Sequence, residues 1–397
     1  FYARRPILEI AVKNFLENQS FQADFKHFEK SNRLWLDDFA EFMAIKEHFG
    51  NQALQKWDDK KAVARDPSAL EKYRILLAEQ IQYFKVTQYF FFKQWTELKN
   101  YANQKGIQII GDMPIYVAAD SVEVWTKPEL FQLDEERNPL FVAGVPADQF
   151  SATGQLWGNP LYAWEEHKKQ GYAWWIHRIE ESFKIYDVLR IDHFKGFSDY
   201  WQVDGKAEVA KDGSWQPGPG YDLFKAVKEQ LGDLPIIAED LGNIDDKARK
   251  LLTDCNYPGM KILQFGFEDV SGESLDSPHY CIPHSIVYTG THDNDVTNGW
   301  YNSLTEQQQQ YINDYTHRHE DESICQAMIR QLFATVSNTA IATMQDVLDL
   351  PASSRMNVPS TIGGNWQWRM QQSDLTQDKK DFLEKMTTLY QRANQEK

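Results

Sequence analysis

Apolar residues recur at helical spacing through the first part of the chain. The segments with this period are 1–17, 34–49 and 67–106. Gly106 supplies the end of the last segment, because glycine adopts the left-handed conformation that often follows a helix. We therefore predict that residues 1–106 form a mostly helical segment packed on the rest of the molecule.

The pattern then changes to short apolar runs that are rich in Ile and Val and are continuous rather than alternating. Such runs are typical of strands buried on both faces. The runs are 107–110, 187–191, 234–238, 261–267, 285–288 and 339–342. Helical patterns lie between them at 165–183, 221–231, 245–255 and, in two pieces, 305–336. The alternation predicts a parallel α/β sheet.

Residues 107–397 are predicted to form one catalytic domain, since neither a repeat nor an obvious linker divides them. Residues 116–164 are interpreted as a large insertion made of loops, because an ordinary strand-to-helix connection is much shorter. A C-terminal helix is expected to complete this domain.

Composition narrows the possible functions. The net charge is −16 and no long Lys/Arg run occurs, so neither nucleic acid nor an anionic membrane surface is an expected partner. Three scattered cysteines, Cys255, Cys281 and Cys325, favour a reducing compartment, which we take to be the cytoplasm. Aromatic residues make up 14% of the chain, with 13 Trp. That content fits either a large core or stacking on sugar rings.

Four acidic residues end the predicted strands or follow them closely: Asp112, Asp192, Glu239 and Asp293. A single acidic residue there is usually a helix cap or a turn former. In a parallel barrel, however, the C-terminal strand ends converge on one face, where active sites are built. Four like charges are costly to gather unless chemistry needs them.

Glycosyl transfer explains these carboxylates better than metal or phosphate chemistry. Residues 293–295 begin like a calcium loop, but the sixth position lacks Gly and the twelfth is Leu304. A Gly-rich phosphate cradle with Lys is also missing from the sequence. Retaining glycosyl transfer needs two carboxylates about 5–5.5 Å apart, one as nucleophile and one as acid and base.

Six motifs, spread in order over most of the chain, resemble those of the α-amylase clan and specifically of its amylomaltase (disproportionating enzyme) family, the 4-α-glucanotransferases. They are GDMPIY (111–116), GQLWGNP (154–160), RIDHFKGF (190–197), AEDLG (238–242), THDND (291–295) and GGNWQWR (363–369).

The resemblance implies roles at the matching positions. Asp192 would be the nucleophile, and Arg190 would pair with it and keep it ionised. Glu239 would protonate the leaving oxygen and later deprotonate the acceptor hydroxyl. Asp293 would bind the reacting glucose and favour its distorted form. The other implied sugar contacts are Asp112, Trp157, Asn159, His292, Asn365 and Trp366.

The resemblance also implies an α/β fold of the (β/α)8 TIM-barrel type with a large helical and loop insertion. The family's chains begin before the segment that matches Phe1, with a region that carries the first two barrel strands. We therefore expect an incomplete barrel here, with strands three to eight in residues 107–397.

The implied activity is that of a 4-α-glucanotransferase. It would move α-1,4-glucan segments to acceptor glucan or glucose by retaining double displacement through a covalent glucosyl-Asp192. Maltooligosaccharides are the expected substrates, and neither a metal nor another cofactor is expected. An α-amylase-type hydrolase stays open as an alternative, because loops decide whether water or a sugar hydroxyl reaches the intermediate. An inactive truncated glucan-binding fragment is the other alternative, because the region with the first two strands is not matched here.

Overall fold

The structure is a computed structural model and describes residues 2–18, 20, 22–147, 153–242 and 244–393. The chain divides into two compact units. The first unit comprises Phe1–Ile236 and Asp246–Cys255, and the second comprises Ile237–Asp245 and Asn256–Lys397.

The first part of the chain is helical, as its period predicts. Its helices are α1 (Arg5–Glu17), α2 (Gln22–Ser31), α3 (Arg33–His48), α4 (Lys60–Val63), α5 (Pro67–Leu76) and α6 (Ala78–Gln104). The long helix predicted at 67–106 is in fact two helices, because Leu77 leaves the helical region with φ −113° and ψ 25°. Leu77 is buried, and neither Gly nor Pro marks this break in the sequence.

The strands and the remaining helices follow. The strands are β1 (Ile110–Met113), β2 (Phe141–Val145), β3 (Gln155–Pro160), β4 (Val188–Ile191), β5 (Asp199–Asp204), β6 (Ser214–Pro217), β7 (Ile236–Ala238), β8 (Gly259–Ile262), β9 (Ser285–Tyr288) and β10 (Thr339–Ile341). The helices are α7 (Val122–Thr126), α8 (Trp164–Lys169), α9 (Ala173–Ile185), α10 (Tyr221–Leu231), α11 (Asp246–Cys255), α12 (Leu263–Gly266), α13 (Thr297–Ser303), α14 (Glu306–Thr316), α15 (Ile324–Ala334), α16 (Met344–Val347) and α17 (Gln377–Leu389).

One three-stranded sheet has the order β1-β4-β7. β1 and β4 are parallel, with Ile110 opposite Val188 and Met113 opposite Ile191. The prediction of a strand at 107–110 is therefore wrong in its bounds. The apolar run only leads into the strand, and backbone pairing with β4 carries the strand onward through two residues that are not apolar.

A second three-stranded sheet, in the second unit, has the order β10-β9-β8 and is parallel throughout. Its central strand, β9, is buried along its whole length. The strand predicted at 261–267 is displaced, because residues 263–266 form the short helix α12. A continuous apolar run does not distinguish a buried strand from a buried helical turn, so the prediction failed there.

The predicted insertion is not a stretch of loops. Residues 116–164 contain α7, β2 and β3, and β2 and β3 join β5 and β6 in an antiparallel sheet of order β3-β2-β5-β6. The four strands are short, and their apolar and polar residues do not alternate regularly. The hydrophobic pattern therefore did not predict any of them. Val142 and Val203 of this sheet form a small buried cluster with Ala210, which lies between β5 and β6.

Candidate active site

A buried arginine joins two carboxylates where β1 and β4 end. Arg190 Nη1 donates to both carboxylate oxygens of Asp112, at 2.6 and 2.7 Å, and to Asp192 Oδ1 at 2.9 Å. Arg190 is only 8% exposed, whereas the side chains of Asp112 and Asp192 are 40% and 42% exposed. Two accessible carboxylates therefore share one buried cation.

Strand register produces this arrangement. Asp112 lies opposite Arg190 in the β1–β4 ladder, and the Asp192 backbone N–H donates to the Met113 carbonyl at 3.0 Å. Gly111 allows close packing beside this pair, because a Cβ at that position would lie 2.0 Å from the Tyr186 ring. Any larger residue there would have to displace the tyrosine.

His193 follows Asp192 in a left-handed conformation, with φ 49° and ψ 50°. Burial lowers the pKa of His193 to about 4, against the opposing effect of the Asp192 charge. Its imidazole is therefore neutral near pH 7. The ring meets Trp157 edge to face at 4.9 Å between centroids. Trp157 is 37% exposed, so part of the indole stays accessible.

The segment after β1 is fixed by residues that the sequence reading missed. Arg178 donates to the Pro114 carbonyl at 2.7 Å and to the Ile115 carbonyl at 3.0 Å. The Tyr162 hydroxyl also donates to the Ile115 carbonyl, at 2.7 Å. Arg178 lies in a predicted helix and belongs to none of the motifs, so the sequence carried no signal for its role.

Asn159, a predicted sugar contact, holds protein backbone in this structure. Its Nδ2 donates to the Val117 carbonyl at 2.9 Å. The amide thereby links β3 to the segment after β1. Its predicted contact with sugar stays a prediction.

Glu239 directly follows β7 in the second unit, and its Oε1 accepts a hydrogen bond from the Leu241 N–H at 2.9 Å. The adjacent Asp240 points to β8, where its Oδ1 accepts from the Met260 N–H at 2.7 Å. A Cβ on Gly259 would lie 2.4 Å from Asp240 Oδ2. Burial raises the pKa of Asp240, against hydrogen bonding from Met260. Glu239 and Asp240 are adjacent in sequence but accept hydrogen bonds from different segments, Glu239 from Leu241 and Asp240 from β8.

His292 and Asp293 lie in the loop between β9 and α13. His292 Nε2 is 3.2 Å from Asp293 Oδ2. Asn294 Oδ1 shapes the loop by accepting from the Thr291 N–H at 2.9 Å and from the Thr291 hydroxyl at 3.0 Å. Asp293 itself is 44% exposed at its side chain. The loop therefore offers a carboxylate and an imidazole together.

Two further residues of the second unit hold Asp293, and the sequence reading missed both. Asn357 Nδ2 donates to Asp293 Oδ1 at 2.7 Å. Arg355 Nη2 donates to the Asp293 carbonyl at 2.7 Å, and its Nε donates to the Asn357 carbonyl at 2.8 Å. The partners are separated from Asp293 by more than sixty positions, and no regular spacing connects them.

Trp366 packs on His292, with 5.1 Å between ring centroids, and is 55% exposed. Its backbone has φ 62°, and its N–H donates to the Met356 carbonyl at 2.7 Å. Asn365, predicted to contact sugar, instead shapes its own loop here. Its Oδ1 accepts from the Val358 N–H at 3.0 Å. Its predicted contact with sugar stays untested.

A possible metal-binding group among the described residues consists of His177, Glu180 and Glu181 on α9. Their ligand atoms already pair with one another, since His177 Nδ1 lies 3.7 Å from Glu180 and 3.8 Å from Glu181. Lys184 also pairs with Glu181. The group includes none of the predicted site residues.

Comparisons with known proteins give a consistent result. The family profile described as 4-alpha-glucanotransferase, glycoside hydrolase family 77, matches residues 1–376. The 4-alpha-glucanotransferase of Streptococcus pneumoniae is 52% identical over 396 residues, which cover 100% of this chain and 78% of that protein. The enzyme of the same name from Clostridium butyricum is 41% identical over 397 residues, covering 99% of this chain and 80% of that protein.

Among solved structures, the amylomaltase from Streptococcus agalactiae in complex with acarbose matches with a TM-score of 0.97 and 59% identity. The match covers 99% of this chain and 79% of that one. An amylomaltase from Corynebacterium glutamicum matches with a TM-score of 0.65 at 16% identity, covering 88% of this chain and 52% of that one, which supports the fold alone.

Proposed function

This chain belongs to the 4-α-glucanotransferase family, and on that premise we propose that Asp192 is the nucleophile, Glu239 the acid and base, and Asp293 a binder of the reacting glucose. The enzyme moves α-1,4-glucan segments by a retaining double displacement, the mechanism of its family. The proposal assigns these steps to individual residues.

The observation that carries the assignment is the ion pair between buried Arg190 and accessible Asp192. A nucleophilic carboxylate must be charged and open to the substrate, and the guanidinium stabilises that charge. Asp112 shares the same cation and is proposed to accept hydrogen bonds from sugar hydroxyls.

In the first step, an Asp192 oxygen bonds to the anomeric carbon while the glycosidic bond breaks and Glu239 gives its proton to the leaving oxygen. In the second step, Glu239 takes the proton of an acceptor hydroxyl, whose oxygen attacks the anomeric carbon and releases Asp192. Two inversions give net retention. This sequence needs Asp192 and Glu239 about 5–5.5 Å apart.

Asp293 is proposed to bind two hydroxyls of the reacting glucose, and His292 to make a further contact with that sugar. The Asn357 and His292 contacts leave Asp293 partly exposed, which supports this role. Trp366, on His292, and Trp157, on His193, are proposed to stack on neighbouring glucose units. Asn159 and Asn365 are also proposed to contact sugar.

The proposed substrates are maltooligosaccharides and other α-1,4-glucans, with glucose as one acceptor. The acarbose complex of the S. agalactiae amylomaltase supports a glucan-binding groove. We also propose that the parallel strands of residues 107–397 belong to a (β/α)8 barrel, on which the helices of residues 1–106 pack.

We propose a cytoplasmic location, which the free thiols of all three cysteines support. Among the described residues, none of the helices is long and apolar enough to cross a membrane.

The experiment is product analysis with maltotriose and isotope-labelled glucose. Transfer predicts a ladder of longer oligosaccharides and label at the reducing ends of new chains. Asp112→Asn should weaken the reaction less than Asp192→Asn does. Formation of maltose and glucose alone, with no longer chains and no incorporated label, would contradict the proposed acceptor.

A further inference from the structure

The loop that carries His292 and Asp293 is tied at both ends to one buried carboxylate. Asp346 is 2% exposed. Its Oδ2 accepts from the Thr289 hydroxyl at 2.6 Å, and its Oδ1 accepts from the Thr297 N–H at 2.8 Å. Thr289 directly follows β9 and Thr297 begins α13, so the two bonds bracket the loop.

We propose that Asp346 is a positioning residue for glucan transfer, whose carboxylate fixes both ends of this loop and thereby the placement of Asp293 and His292. The inference rests on the proposed function, because it assumes that Asp293 and His292 bind the reacting sugar. Asp346 acts through these residues.

Sheet geometry brings Asp346 to this position. β10 runs parallel to β9, with Ile341 opposite Tyr288, and the Thr289 N–H donates to the Ile341 carbonyl at 3.2 Å. Short helix α16 then begins, capped by Thr343, whose hydroxyl accepts from the Asp346 N–H at 3.2 Å. The chain after β10 thus delivers a carboxylate beside the end of β9.

A carboxylate suits this position because both bonds come from buried donors. Thr289 and Thr297 are fully buried, so neither donor can turn to bulk water instead. Asparagine would keep an acceptor for the Thr297 N–H, but its NH2 group would meet the Thr289 hydroxyl, which would have to rotate and accept. Alanine would provide neither bond.

The loop has further anchors near its C-terminal end. Gln264, 2% exposed, donates to the Asp295 carbonyl at 2.9 Å. Asn298 on α13 donates to Asp349 Oδ1 at 3.1 Å. Asp293 lies between Thr289 and Asp295, and its side chain is 44% exposed. Such a frame holds a carboxylate in place before the substrate arrives, which is how preorganised sites are built.

The test measures transfer from maltotriose, with kcat and KM expressed per folded molecule and well below each variant's melting temperature. Asp346→Ala should lower kcat about 10²-fold, since misplacing a group in the site by about 1 Å can cost that much. Asp346→Asn and Thr289→Val, which each disturb only the Thr289 bond, should lower kcat about fivefold, within the effect of one hydrogen bond.

A double-mutant cycle separates positioning from simple stability. In an Asp293→Asn background the effect of Asp346→Ala on kcat should shrink to the part that acts through His292, because one of the two positioned groups is already lost. Glu41→Gln serves as the control, since Glu41 is another buried acid, 4% exposed and bonded to Arg74 at 3.1 Å. It should lower the melting temperature and leave kcat per folded molecule unchanged.

Two results would overturn the positioning role while leaving the proposed function intact. In the first, Asp346→Ala has the parental kcat while Asp293→Asn has a lowered kcat. In the second, Asp346→Ala lowers kcat by the same factor in the parental enzyme and in the Asp293→Asn background. Full activity of Asp293→Asn would instead refute the proposed role of Asp293. If Asp346→Ala does not fold, Asp346→Asn and Thr289→Val decide, and parental kcat in both would overturn the inference.

Discussion

Two regions of the molecule present acidic groups in different ways. One is the Arg190 cluster, made of Asp112, Arg190 and Asp192, and the other is the loop that carries His292 and Asp293. In the cluster, the carboxylates lie in or directly after parallel strands, and one buried cation joins them. In the loop, Asp293 lies five positions beyond β9 and is held by hydrogen bonds from Asn357 and Arg355.

The two regions differ in how the fold specifies the positions of their acidic groups. Strand register places Asp112 opposite Arg190, so the Arg190 cluster depends on the sheet and on the two ion pairs of one arginine. Asp293 depends on several weaker contacts made by segments that come together only in the folded second unit. We therefore expect loss of Arg190 to lower kcat more than loss of Asn357, which is one of several supports of Asp293.

The largest effect is expected from Asp192→Asn. Loss of the nucleophile should lower kcat by roughly 10³-fold or more, about 4 kcal/mol of barrier. The matched control is Asp187→Asn at the other end of β4, where the carboxylate accepts from the Ile109 N–H at 2.8 Å. This control should lose stability but keep kcat, as measured by transfer kinetics and thermal unfolding. Equal loss of kcat in both variants would contradict the assignment.

The next largest effect should follow substitution of Arg190. Its Nη1 donates to both carboxylates, and a lysine ammonium can replace part of this interaction. Arg190→Lys should lower kcat about tenfold and Arg190→Met about 10²-fold, on the scale of losing a buried charge partner. If circular dichroism shows that both variants fold and their kcat values are equal, the positive charge at position 190 does not support catalysis.

The positions of Asp192 and Glu239 could be predicted from the sequence, because each of them directly follows an apolar run. Asp192 and Glu239 each lie one position beyond a strand that the pattern predicts. Helix α10 was predicted with the bounds that it has, and its end at Gly232 fits the glycine's φ of 80°. Local patterns suffice where position depends on neighbouring residues.

The support for the loop could not be predicted in this way. Asn357, Arg355 and Asp346 contact residues about 50 to 60 positions away, and hydrophobic period says nothing about such pairs. The antiparallel sheet was missed for a related reason. Its strands come from two separate stretches, 141–160 and 199–217, whose pairing depends on tertiary contacts.

A smaller effect is expected when the loop loses one support. Asn357→Ala removes the 2.7 Å bond to Asp293 and should lower kcat about tenfold, the cost of one hydrogen bond to a charged group. Thr361→Val is the comparison, since it removes the bonds of the Thr361 hydroxyl to the Val358 carbonyl at 2.6 Å and to Asn365 at 3.1 Å, neither of which involves Asp293. Steady-state kinetics should show a clear loss for Asn357→Ala alone, and the reverse order would refute this account of the loop.

The smallest effects should come from the exposed indoles next to each region. Trp157→Ala and Trp366→Ala should each lower kcat/KM by about 1 kcal/mol, about fivefold, because stacking on a sugar buries part of one ring face. Tyr101→Ala, an exposed aromatic residue on α6, is the control. If the Trp variants lose only thermal stability, with kinetics unchanged, the two rings serve packing instead.

The most direct measurement is the site of the covalent intermediate. In Glu239→Gln the acid is lost, but an activated glucosyl fluoride needs no acid to depart, so the first step should still proceed while the second is slow. Mass spectrometry of a proteolytic digest should then find one glucosyl group on Asp192. A glucosyl group on Asp112 or Asp293 would contradict the assignment of Asp192. So would the absence of any adduct while the glucosyl fluoride is still consumed.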